Sequence, residues 1–301
     1  MSSAAPPPAA PTAPQGRLAA ELEKIVTKRI AADQLVLPSM PAVALKCLNL
    51  IKDPEFSLKE AAAIVERDPI LTAMIMRLAN SAAMATRDSA QSVLAAVTRM
   101  GVQKLRTFLI ESSARKVFES RDPRIVEASR GVWEHSLAVA MLGRDIVAFS
   151  NSGSPDFGYL AGLLHDVGKP IVAAMLLEAE KAILGAKSGA TWIGSGEWIG
   201  VVQRVHRHVG VALAEKWEMP EPVLRGIRDC QEYDNADRLS IANAVRFANA
   251  LAKQQGIYVG DVATEDNDAL VLVGRSLLGI DEETVTRLTA NLRDKVKEQL
   301  S

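Results

Sequence analysis

The sequence predicts an all-α fold, a multi-helix bundle of about a dozen helices. Three observations carry that expectation. Apolar residues recur at helical spacing through most of the chain, no stretch alternates convincingly with a period of two, and aromatic residues make up only 4% of the 301 residues. A core made mainly of Leu, Val, Ile, Ala and Met suits helix-on-helix packing better than a β-sandwich, which draws on β-branched and aromatic strand formers.

Residues 1–15 are almost entirely Ala, Pro and Ser, without amphipathic pattern, and read as a disordered tail. From Gly16 the character changes. Leu18, Leu22, Ile25, Val26 and Ile30 fall at helical spacing and predict an amphipathic helix ending near Asp33. Leu37-Pro38-Ser39-Met40-Pro41 reads as a turn into the next helix, with Ser39 as candidate cap and Pro41 in the first turn. Asp53-Pro54 ends that helix, a short one follows through Leu58 and Val65, and Asp68-Pro69 opens another with Leu71, Ile75 and Ala79 on its apolar face. Val93 to Met100 is closed by Gly101, and the pattern resumes to a break at Arg121-Asp122-Pro123.

A second block of helices is expected at about 124–149, 159–167, 170–186, 198–217, 222–228, 239–253 and 269–278, with a charged helix capped by Asp281. Leu35-Val36-Leu37 and Ile257-Tyr258-Val259 are too short to argue a sheet. No internal repeat is evident.

Composition narrows the function. Lys+Arg 35 against Asp+Glu 36 leaves a net charge of −1, so there is no basic excess to offset nucleic-acid phosphates. The N-terminus lacks the basic and apolar regions of a signal peptide. The most apolar stretch, Tyr159 to Leu177, is interrupted by His165, Asp166 and Lys169, which argues against a membrane span. A cytoplasmic protein is expected, with neither a nucleic-acid nor a membrane partner. Cys47 and Cys230 form no CxxC pair, and Cys47 reads as a small buried hydrophobe.

Four histidines are all the chain has. His165-Asp166 pairs an imidazole with a carboxylate, both metal ligands, although neighbours on a helix diverge by about 100° and share an ion only where a helix end faces a cleft. His135, on the preceding long helix, could join them. His206 and His208 face different directions, so at most one of them can. The plainer reading is a helix C-terminus at Gly168 in a left-handed cap, with His165 and Lys169 against the carbonyl end. An HD dipeptide alone is a weak signal.

Several motifs in order sharpen this. Leu37-Pro38-Ser39-Met40-Pro41-Ala42, Glu66-Arg67-Asp68-Pro69-Ile70-Leu71-Thr72, Leu78-Ala79-Asn80-Ser81-Ala82 and Gly162-Leu163-Leu164-His165-Asp166-Val167-Gly168-Lys169 occur in sequence. His206-Arg207-His208-Val209-Gly210 and Trp217-Glu218-Met219-Pro220-Glu221 follow. Together they resemble the bacterial HDOD domain, from about residue 16 to 255. That resemblance implies a signalling module related in fold to HD and HD-GYP phosphohydrolases but generally without their catalysis. It divides the chain into a tail (1–15), an N-terminal helical part (16–121), an HD-like part (122–255) and a C-terminal extension (256–301).

Carried across, the resemblance makes His135 the first histidine of the HD set, His165 and Asp166 the HD pair, and His206 the next ligand. Where related enzymes carry a double histidine this chain has Cys230-Gln231, and where they carry a final aspartate it has Asn249. An amide lacks the charge that holds a divalent ion and activates its water. The set therefore reads as a degenerate metal site, with no cofactor expected beyond a single divalent ion. Asn80 and Ser81 read as a structural motif that satisfies loose backbone groups at a helix end.

The expected function is a non-catalytic signalling protein acting through a protein partner, its input arriving in trans. One rival is a metal-dependent phosphohydrolase of nucleotides or cyclic dinucleotides. A second is a module that binds a nucleotide ligand without turnover. One outcome follows from the tail alone. Deleting residues 1–15 should leave the melting temperature within about a degree, because so little apolar surface cannot repay its ordering entropy; a calorimetric scan checks it.

Overall fold

The computed structural model describes residues 14–32, 34–81, 84, 88–184 and 196–300. The expectations for the first thirteen residues and for Asp33 lie outside them, while Pro14 and Gln15, expected in the tail, form the start of the first helix. The N-terminal helices are α1 (Pro14–Ala31), α2 (Ala42–Leu50), α3 (Leu58–Val65), α4 (Pro69–Ala79) and α5 (Val93–Phe118). The HD-like part contains α6 (Val126–Ser150), α7 (Pro155–Leu164), α8 (Gly168–Leu184), α9 (Gly196–Lys216), α10 (Glu221–Arg228) and α11 (Ile241–Gln254). Three more close the chain: α12 (Thr264–Leu278), α13 (Glu282–Thr289) and α14 (Leu292–Leu300). Among the described residues there is no strand, and the fold is all-α as the sequence predicts.

Local chemistry explains most boundaries. Asp68 caps α4, its carboxylate accepting from the backbone N–H groups of Ile70 and Leu71 at 3.0 Å, with Pro69 at the first helical position. Asp281 caps α13 in the same way through Thr284 N–H. Ser57 and Glu60 form a reciprocal capping box at α3. Gly101, at φ +71°, kinks α5 where the pattern stops. Two expectations change. Ser39 does not cap α2, because Pro41 occupies the cap position and no side chain bonds there. The single charged helix from Asp281 is two helices, α13 and α14, separated at Asn291 in the left-handed region (φ +55°).

The core runs continuously from α1 to α14 and is densest where α6 and α7 meet. Their backbones approach at glycines. A Cβ on Gly143 would lie 2.7 Å from the Gly158 carbonyl oxygen, and one on Gly162 would lie 2.6 Å from that of Val139. The helix pair can thus close to a separation at which α7 delivers its C-terminal end to α6. Helix α11 packs against both α6 and α7, and α9 against α8. Helix α1 lies on α9 and α8, tied by the Glu23 carboxylate to Arg204. The stretch Pro155–Lys181 is long and apolar enough to cross a membrane by length and composition alone, yet 89% of its most apolar window is buried inside the fold. It is a core segment, running through α7 and α8.

Gly162→Ala should therefore destabilise the protein by about 1–3 kcal/mol, the range for overpacking a close-packed contact. Urea denaturation would show this as a lowered midpoint with unchanged slope.

Candidate functional site

The turn between α7 and α8 carries the HD pair. His165 follows the last residue of α7, Asp166 is the next residue, and Gly168 opens α8. The reading of Gly168 as a left-handed cap is corrected here: its φ is not positive, and a Cβ on it would collide with the His206 carbonyl oxygen. Glycine is needed so that the start of α8 can touch α9, which carries His206. Lys169 likewise serves no carbonyl end. Its ammonium donates to Asp166 Oδ2 at 2.6 Å.

Three imidazoles converge on this one carboxylate. His135 Nε2 is 3.8 Å and His165 Nε2 3.3 Å from Asp166 Oδ2, while His206 Nε2 is 3.3 Å from Oδ1. All four residues are buried. Each ring is fixed from behind by a backbone carbonyl: His135 Nδ1 by Ile257 O at 2.7 Å, His165 Nδ1 by Gly162 O at 2.7 Å, and His206 Nδ1 by Gln203 O at 2.9 Å. A carbonyl accepts only, so each Nδ1 carries the proton and each Nε2 faces inward. There it either offers a lone pair to a cation or carries a second proton toward Asp166. This backing by carbonyls is how metal-ligating histidines are held. His135, His165 and Asp166 place their donor atoms within 4.8 Å of one another, the one such group among the described residues. His206 joins through the other carboxylate oxygen, and His208 is exposed.

The remaining expected positions behave differently. Cys230 is buried, with its Sγ 2.9 Å from Arg207 Nη1, and Gln231 is exposed. Asn249 Oδ1 is buried without a hydrogen-bond partner. Asn80 lies far from the centre in the N-terminal part, where it bridges both backbone groups of Ala90 and receives Arg99, while Ser81 Oγ donates to Leu78 O.

Sequence reasoning missed three contributors. The Ile257 carbonyl and the Tyr258 ring, 5.2 Å edge-on from His135, come from beyond residue 255, outside the stretch that carries the family motifs. A backbone carbonyl has no sequence signature, and Ile257-Tyr258-Val259 offered only a short apolar run. Arg207 was passed over as the neighbour of a ligand. Beside His135, Asp166 and Lys169 opens a cavity of about 210 Å³, walled mainly by apolar side chains including Ile125, Val132 and Val202.

The chain belongs to the HDOD domain family, whose model matches residues 37–233. A curated protein of Treponema pallidum, named only as uncharacterized, is 25% identical over 244 residues, 76% of this chain and 45% of that one. The chain thus spans about half the length of that relative. Among solved structures, a protein of Shewanella amazonensis SB2B provisionally named a metal-dependent phosphohydrolase superposes with TM-score 0.70 at 23% identity, over 95% of this chain and all of that one. A protein of Marinobacter aquaeolei VT8 provisionally named for signal transduction gives 0.63 at 19%, over 96% of this chain and 66% of its own. At these identities they share the fold.

Burial holds His135 neutral, pushing its pKa down to about 3, with the neighbouring His165 adding to the shift. Burial would raise the Asp166 carboxyl, but His165 and Lys169 hold it well below its usual range. The unfolded chain takes up a proton at His135 near pH 6.5, the folded one only near 3. The stability from neutral His135 is complete above about pH 6.5 and is lost as pH falls toward 3, by at most about 1.4 kcal/mol per unit. In metal-stripped protein, the melting temperature should fall between pH 6.5 and 4, and the slope should flatten in His135→Gln.

Proposed function

We propose that this HDOD protein is a non-catalytic regulator that passes a signal to a protein partner, and that its HD centre holds at most one divalent ion. The observation that carries the reading is the donor set. One carboxylate serves the whole centre, and Lys169, His165 and His206 already face it.

The residues fit a single ion. His135, His165 and His206 would supply neutral nitrogens and Asp166 the charge. A bound divalent cation supplies Lewis acidity and a water of lowered pKa. The same residues do not fit a pair. At the neighbouring positions Cys230 is taken by Arg207, Gln231 points to solvent and Asn249 is uncharged. No second carboxylate stands near enough to clamp another ion or to take a proton from water; the described residues hold one tight His/Asp group. Lys169 adds its own positive charge 2.6 Å from Asp166 and competes with an incoming cation. The provisional name of the Marinobacter neighbour supports a signalling role by fold alone.

Metal analysis of the purified protein with a phosphodiesterase assay tests this. Cyclic dinucleotides and bis-p-nitrophenyl phosphate should not turn over with manganese or iron. Metal-dependent turnover that disappears in His165→Ala would overturn the reading, as would two equivalents of tightly bound metal. Asn249→Asp, which restores a carboxylate where the family resemblance places an acidic ligand, should raise metal affinity roughly tenfold or more. Calorimetric titration of manganese and zinc would measure the gain.

A further inference from the structure

We infer that the side of the centre bearing Asn249 is an anion site that takes a phosphate group, built from Arg207, Arg246 and Lys253. It goes beyond the proposed regulatory role and names a ligand class that the role does not require.

Helix geometry brings the groups together. Arg246, Asn249 and Lys253 lie three and four residues apart on α11 and so share one face. Arg207, from α9, meets them across Cys230: its Nη1 donates to Cys230 Sγ at 2.9 Å and to Ile227 O at 3.1 Å, while Arg246 Nη1 donates to Cys230 O at 3.3 Å. Lys253 lies 4.6 Å above the Tyr258 ring, and Lys169 is 5.4 Å from the same ring. Lys169, Arg207 and Arg246 thus all lie close enough to Lys253 to act on its charge. None of Arg207, Arg246 and Lys253 makes an ion pair with a carboxylate among the described residues, and the anion that acts on Lys253 is Asp166, already engaged by Lys169.

Carbonyls at the end of α10 and the Tyr233 ring, 5.1 Å from the Arg246 guanidinium, offset part of this charge. They do not use all of its donors. Arg207 Nε and Arg246 Nε are both buried and without a partner, and so is Asn249 Oδ1. An amide turned about its last torsion exchanges oxygen for nitrogen. Asn249 then presents a donor on the same face of α11 as Arg246 and Lys253. Several charge-assisted donors converging without an acceptor are what a tetrahedral oxyanion satisfies. Burial and the neighbouring cations Lys169, Arg246 and Arg207 lower the Lys253 pKa, a strain that a bound anion would relieve. A carboxylate at position 249 would fill the site from within, and the neutral amide leaves it open.

The probe is inorganic phosphate, titrated calorimetrically at low salt into EDTA-treated full-length protein, with phenyl phosphate in a parallel arm. Saturable binding is expected. Arg207→Gln, Arg246→Gln and Lys253→Gln should each weaken it roughly tenfold, the loss of about one charge-assisted bond. Asn249→Asp should weaken it at least as much. Tighter binding of phenyl phosphate identifies an esterified ligand whose body enters the neighbouring cavity, and equal binding identifies free phosphate; both support the site. Lack of saturation below about 10 mM would overturn it. So would indifference to all four substitutions, or binding that requires added metal and vanishes in His135→Ala, which would place the phosphate on the ion. Circular dichroism of each variant separates a lost site from a lost fold. Because the binding is read without metal or turnover, its failure is distinct from that of the regulatory reading.

Discussion

Asp166 is a buried carboxylate, and the centre is organised around that fact. A lone charge in such a place costs several kcal/mol unless it is paired and hydrogen-bonded. Here the pairing comes from Lys169, one helical turn along, and from imidazoles on three separate elements. Each imidazole is held by a carbonyl, so its position depends on a backbone path: the turn after α11 for His135, the end of α7 for His165, and α9 itself for His206. Moving any one of these elements would leave the carboxylate short of a partner. The carboxylate therefore joins helices that are distant in sequence.

Such convergence requires backbones to come closer than side chains normally allow, and glycine provides it. Gly143 and Gly158 face one another between α6 and α7, Gly162 rests on the Val139 carbonyl, and Gly168 rests on that of His206. The last two flank the HD pair. Packing and chemistry are thus set by the same few residues, and a single added methyl in this row would shift an imidazole as well as loosen the core.

Sequence patterns made the architecture legible where the chemistry is local. Asp68-Pro69 and Asp281 announce caps because the carboxylate and the N–H groups it serves are within three residues. Gly101 announces a kink because few other residues accept its φ. Ser39 misled because a proline two residues on took the cap position. Gly168 misled because its role lies in a contact with residue 206, which no local pattern encodes. In the centre, the histidines could be found from motif order. The Ile257 carbonyl could not, and Arg207, Arg246 and Lys253 look like any solvated charges on amphipathic helices until Arg207 of α9 and Arg246 of α11 are seen to meet at Cys230.

The charge balance explains how one helical scaffold can change roles. With carboxylates at the late positions, a ring of imidazoles favours divalent cations. With Asn249 neutral and Arg207 seated on Cys230, the surplus near the centre is positive on one side, while Asp166 and three inward nitrogens favour a cation on the other. A cation and an anion bound there would stabilise each other, each screening the charge that disfavours its partner. Lys169 lies between the two sides, bonded to Asp166 and stacked near Tyr258, so a cation that drew Asp166 away would free this lysine toward the anion. Tyr258 follows Ile257, whose carbonyl holds His135, and its ring lies beneath Lys253, so two adjacent residues after α11 touch both sides of the centre.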